Sequence, residues 1–263
     1  MTRAWRALHA AGRLRYRFTG TAGYGLAYGS HPGGTASETS DLDLVLITAH
    51  PLPAGRLHAL VDAVCQLHRD HGLALDTEVD YAVKVHATCR DVVAATSLRC
   101  FPAGVAGRIE VPPVVVEPSF LNSEAFRLRL LLNALTSPHT FLGGNVALYD
   151  QHRRQAEYAL GLLALSLHHG DVLSLDDAIA VVTEHPEGAR GEDFLGYQLG
   201  PHLHGVLSRG LSYLAANGVL RDLDGIRFSG DPATVRAAVA QLRDVPMAER
   251  GPANTPGTIG VDD

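Results

Sequence analysis

A chain of 263 residues with 46% hydrophobic and 19% charged side chains can bury a sizeable core and suits one large domain or two modest ones. Its formal charge of −6 offers no basic field of the kind that holds long nucleic acid against salt, which disfavours a polynucleotide partner. Three cysteines (Cys65, Cys89 and Cys100) form no even disulfide set, the N-terminal stretch lacks an apolar signal core, and YALGLLALSL at 158 to 167 is too short to span a bilayer, so a cytoplasmic protein with no membrane partner is expected.

In chain order, a short N-terminal helix should give way to RLRYRFTGTAGYGLAYGS, whose glycines at 20, 23, 25 and 29 predict extended chain broken by turns, with a strand ending near Ser30. The run DLDLVLIT sets Asp41, Asp43 and Val45 against Leu42, Leu44 and Leu46, a pleat with two carboxylates at the head of one face. PAGRLHALVDAVCQLHRDHG then spaces Leu57, Leu60, Val61, Val64 and Leu67 as a crossover helix that Gly72 stops. LALDTEVDYAVKV reads as a second acidic strand, with Val79, Tyr81 and Val83 on one face and Asp76, Glu78, Asp80, Lys84 and His86 on the other.

The Pro-rich segment CFPAGVAGRIEVPPVVVEPSF has the texture of a connector with one edge strand, which places a domain boundary near residue 118. Beyond it the pattern turns helical in NSEAFRLRLLLNALTS, in NVALYDQHRRQAEYALGLLALSLHHG and in SLDDAIAVVTEH, where Ser174 and Asp177 spell a capping box. The expected architecture is an α/β mixed-sheet domain over 1–118, an all-α domain over 119–246 and a disordered tail over 247–263.

The chemistry begins at Asp41 and Asp43. Two carboxylates side by side on one strand repel each other unless a cation lies between them, and a divalent metal is the natural answer. Hard Mg²⁺ takes oxygen ligands and is usually held by one or two carboxylates plus substrate phosphates. Just upstream, Gly29 and Ser30 form a small turn whose backbone amides could approach phosphate oxygens. No GxGxxG or GK[ST] motif is present, which sets aside Rossmann and P-loop sites, and His168-His169 and His202-x-His204 lack partners at metal-site spacing.

Gly29-Ser30, a ten-residue gap, Asp41-Leu42-Asp43 and an acidic segment one helix later together resemble the nucleotidyltransferase fold of the polymerase-beta superfamily, which includes antibiotic nucleotidyltransferases. The resemblance covers residues 14 to 90. It implies a nucleotidyltransferase domain that moves a nucleoside monophosphate from a nucleoside triphosphate to a hydroxyl of a small molecule. Mg²⁺, or Mn²⁺ in its place, would be held by Asp41, Asp43 and Glu78. Gly29, Ser30, Ser40 and Lys84 would contact the nucleotide, and Glu78 or Asp80 would act as base, with Asp76 ranked behind them.

The family's arginine after the Gly-Ser turn is missing here. Its contact to the triphosphate falls to His31, to backbone, or to a polar group of the helical half such as Arg127, Arg129, His152, Arg153 or Arg154. Two further readings keep the fold: an enzyme that nucleotidylates a protein, and a non-catalytic nucleotide-binding regulator.

Overall fold

The computed structural model describes residues 3–37, 40–76, 79–104, 109–112, 115, 117–183 and 202–244. Two neighbouring strands form the centre of its larger sheet. β1 (Tyr24–Tyr28) and β2 (Asp43–Thr48) pair antiparallel with Tyr28 opposite Asp43, and every residue of both is buried. The strand period sorts their side chains between two helical layers. Ala27, Leu42, Leu44 and Leu46 pack with Ala7, Ala11 and Phe18 of α1 (Arg3–Thr19) and with Leu60, Val64 and Leu67 of α3 (Ala54–His71). Tyr24, Leu26, Tyr28, Val45 and Ile47 belong to the opposite core.

Between β1 and β2 lies the single turn α2 (Ser30–Gly33). From β2 the chain crosses through α3 and a second single turn, α4 (Tyr81–Lys84), into β3 (His86–Thr88), which runs parallel to β2 with His86 beside Leu46. Thr88 and Asp91 then form a reciprocal capping box that starts α5 (Cys89–Thr96). After α6 (Pro118–Leu121), Ser123 caps α7 (Glu124–Thr136). The chain next returns to the sheet as β4 (Thr140–Gly144), antiparallel to β1, giving the strand order β3-β2-β1-β4.

Asn145 caps the 22-residue α8 (Val146–Leu167), whose buried face packs on α10 (Leu203–Ala216). Their approach requires Gly210, since a Cβ there would fall 2.2 Å from the Glu157 carbonyl oxygen. β5 (Val172–Ser174), β6 (Arg221–Asp222) and β7 (Arg227–Ser229) make a small antiparallel sheet in the order β5-β7-β6. It is flanked by α9 (Leu175–Thr183), which begins with the expected Ser174–Asp177 box, and by α11 (Pro232–Arg243).

The mixed α/β architecture expected from the chain is present, and four details differ. The N-terminal helix is 17 residues long and takes in RLRYRFT, because Ala7, Ala11 and Phe18 continue one buried stripe. None of the described residues between 73 and 85 lies in a strand. Asp80 caps α4 through the Ala82 amide, and this local bond outweighs the alternating pattern. The half beyond residue 118 is not all-α, because it contains the small sheet and supplies β4. Among the described residues of the Pro-rich connector, the expected edge strand appears as a single bridge between Ala103 and Ile109. One apolar cluster runs from Tyr24 of β1 to Val239 of α11 and so crosses the sequence boundary near 118. The tail at 247–263 lies outside the described residues, among which no helix is long and apolar enough to cross a membrane.

Buried imidazoles set the acid limit of this fold. His152 shares a 2.9 Å hydrogen bond with the Tyr24 hydroxyl, and His86 shares one of the same length with Thr48; burial holds both down at about 4. Unfolded imidazoles protonate near 6.5, so between about 4 and 6.5 the unfolded chain binds more protons and stability falls as pH drops. Asp43, lifted by burial to about 6, has the opposite sign and offsets only part of this. We predict a lower urea midpoint at pH 4.5 than at pH 7, with a loss on the order of 3 kcal/mol per histidine at the acid end of the window. Equal midpoints would show that these imidazoles protonate in place.

Candidate functional site

The site is built where β1 ends beside the start of β2. Because Tyr28 faces Asp43 across the ladder, the next residue, Gly29, lies against the Asp43 side chain. Gly29 has φ 76°, and a Cβ at this position would fall 2.1 Å from Asp43 Oδ2. Glycine is therefore required twice, by backbone conformation and by contact. The chain then turns through Ser30 into α2, where Thr35 N donates to the Ser30 carbonyl.

Asp41 and Asp43 project to the same side of β2, as the period-2 pattern expects, and both reach Lys84. Its Nζ lies 2.7 Å from Asp41 Oδ2, 2.7 Å from Asp43 Oδ1 and 3.0 Å from Asp76 Oδ2. Lys84 is 2% exposed and Asp43 3%, whereas Asp41 and Asp76 keep about a fifth of their surface open. Burial, with Asp41 and Asp76 adding to it, lifts the Asp43 carboxyl to about 6 against the pull of Lys84.

Three supports hold this arrangement. His68, fully buried on α3, accepts from the Leu42 amide through Nε2 and donates to the Val64 carbonyl through Nδ1, which pins the backbone between the two aspartates. Burial lowers its pKa, in keeping with the neutral ring that these bonds require. Tyr81 packs edge-on against His68, and its hydroxyl accepts from the Asp76 amide at 3.0 Å. Asp76 Oδ1 in turn accepts from the Val79 amide. The loop thus presents Asp76 Oδ2 to Lys84.

Of the expected third acids among the described residues, Asp76 is the one brought to the pair. Asp80 is exposed and engaged as the cap of α4, with its amide donating to Asn122, so the structure does not bring it to Asp41 and Asp43. Glu78 lies outside the described residues. Ser40 pairs locally with Ser37 through hydroxyl and backbone bonds. His31 Nε2 is enclosed without a hydrogen-bond partner.

The polar groups of the helical half are committed elsewhere. Arg127 pairs with Asp91 at 2.7 Å, Arg129 donates to the Pro112 carbonyl and stacks on Phe101, and Arg153 faces Asp150 and Glu157. Arg154 donates to the Asp150 carbonyl, and His152 meets Tyr24. His68 and Tyr81 were missed in the sequence. The available signal for His68 was a polar residue in the Leu60, Val64, Leu67 stripe of α3.

Three carboxylate oxygens meeting near one point are hard donors of the kind Mg²⁺ takes, so the donor chemistry fits. Their meeting point, however, is held by an ammonium at 2.7–3.0 Å, longer than the roughly 2.0–2.1 Å of Mg–O bonds. Among the described residues no group of three or more His, Cys, Asp or Glu side chains forms a ready metal cage.

Gly29→Ala meets two costs at once, because ψ −149° puts Gly29 in a region open essentially to glycine alone and its Cβ would strike Asp43, whereas Gly34, at ψ 13°, lies in the milder left-handed helical region. Gly34 has nearly the same φ, 75°, with nothing within 4 Å of a Cβ, so Gly34→Ala should cost only the backbone strain of about 1–2 kcal/mol. Gly29→Ala should cost at least 1 kcal/mol more in chemical denaturation, since overpacking adds to the strain. Equal costs would mean that neither the Gly29 backbone nor Asp43 resists a side chain at this position.

No known protein family, no curated protein and no solved structure matches this chain.

Proposed function

We propose that the protein is a Mg²⁺-dependent nucleotidyltransferase that moves a nucleoside monophosphate from a nucleoside triphosphate to a hydroxyl of a small molecule. The observation that carries this reading is the close approach of Gly29 to Asp43, which fixes a glycine turn with positive φ directly beside a buried strand carboxylate that shares Lys84 with Asp41. Backbone amides of a glycine turn and a pair of carboxylates are the two kinds of group that a metal-bound triphosphate needs side by side, and that supports the reading.

Asp41 and Asp43 would hold the metal, with Asp76 as the third carboxylate in reach. When bound, Mg²⁺ neutralises charge on the triphosphate and on the departing pyrophosphate. The Gly29–Ser30 turn orients the polyphosphate through its backbone amides. The acceptor oxygen attacks the alpha phosphorus, the bond to pyrophosphate breaks, and the acceptor proton passes to a carboxylate of the 76–80 segment. Buried Asp43, held by Lys84 and Gly29, acts as the fixed anchor, while the more open Asp41 and Asp76 face the substrates.

One observation favours a second reading. The Lys84 ammonium fills the meeting point of the carboxylates, as it would in a non-catalytic nucleotide-binding regulator of this fold.

Incubation with the four nucleoside triphosphates, Mg²⁺ and a panel of hydroxylated acceptors, read by mass spectrometry, separates the two readings. Transfer should occur in the wild type and fall at least a hundredfold in Asp41→Asn and Asp43→Asn, with the fold retained. Nucleotide binding without turnover would support the regulator instead. Wild-type turnover in both variants would remove the metal assignment.

A further inference from the structure

Resting on the reading above, we propose that Lys84 is the internal counter-cation of the acid site and that it competes with the divalent metal for the same carboxylate oxygens, so that the site takes metal strongly only together with a polyphosphate.

The argument begins with space. Lys84 Nζ lies within 3.0 Å of one oxygen from each of Asp41, Asp43 and Asp76, and the side chain is 2% exposed. A metal bound to these oxygens at roughly 2.0–2.1 Å would share their meeting point with the ammonium. Two cations cannot occupy it together. Charge then sets the terms of exchange. Among the described residues, three carboxylates against one ammonium leave a formal −2, which attracts a divalent ion, but loading that ion on the shared oxygens takes these three anions from Lys84, a buried cation.

An ammonium so displaced gains from a further anionic partner. The Gly29–Ser30 turn beside Asp43 is the place proposed for the polyphosphate, and its oxygens are compact anions of the kind lysine binds as a point charge. Metal alone therefore works against Lys84, whereas metal and polyphosphate together give each cation an anion. Lys84 in this scheme is a positioning residue. In the resting protein it keeps Asp41, Asp43 and Asp76 gathered around one point.

The test is Mn²⁺ alone, titrated calorimetrically into the wild type, Lys84→Met, Lys84→Gln and Lys84→Arg. Removing the competing charge should tighten Mn²⁺ binding at least tenfold in either neutral variant, while Lys84→Arg, which keeps the charge, stays at the wild-type level. Two neutral variants guard against one failing to fold, and a variant that folds only when Mn²⁺ is added also supports the exchange. A purely structural lysine would not strengthen metal binding when removed. Unchanged or weaker Mn²⁺ binding in the neutral variants would overturn the inference and leave nucleotidyl transfer standing. Absence of Mn²⁺ binding in the wild type and in both neutral variants would overturn the metal reading and this inference together.

Discussion

Everything at this site depends on one lysine ammonium gathered by three carboxylates. Without it, Asp43 would be an uncompensated charge in a closed place, and removing one partner of such a buried pair typically costs several kcal/mol. Its position explains the surrounding architecture. Asp41 and Asp43 must leave β2 on the same side, Asp76 must be turned inward by Tyr81 and Val79, and α4 must end where Lys84 reaches all three. His68 fixes the backbone at Leu42 and so fixes the spacing of the first two acids.

The two faces of β2 divide the labour. The leucine face, Leu42, Leu44 and Leu46, welds the strand to α1 and α3, while the other face is apolar only as far as Val45 and ends in the acid pair. The strand is therefore rigid where it meets the core and charged where it emerges. Function placed on the end of a strand buried on both sides inherits the precision of the core.

How much of this was legible in the chain follows from which interactions are local. The alternation of DLDLVLIT was readable because both faces of β2 are set by period alone, and Gly72 announced the end of α3 because its φ of 60° is a position glycine favours. The third acid was not readable by the same rule. LALDTEVDYAVKV alternates like a strand, yet its conformation is decided by Asp80 capping α4 and by the Tyr81 hydroxyl meeting the Asp76 amide, and spacing records neither contact. β4 was hidden for a different reason. HTFLGGN is short and glycine-rich and pairs with β1 across more than a hundred residues of chain. The partner of Arg127 was equally invisible, since Asp91 lies 36 residues away in sequence.

That distant pairing has a kinetic side. β1 is flanked by β2, which follows it closely, and by β4, which is made only after α7 is complete. A nascent chain that has emerged as far as β3 has an unsatisfied row of amides and carbonyls along β1, the strand that ends at the Gly29 turn. Closing that row requires a long loop, and loops of this size slow folding because their entropy is lost before the contacts repay it. Until then the half-made sheet has an edge open to strands of other chains. The glycine turn and the acid pair thus mature late, on a sheet whose last strand comes from the other half of the molecule.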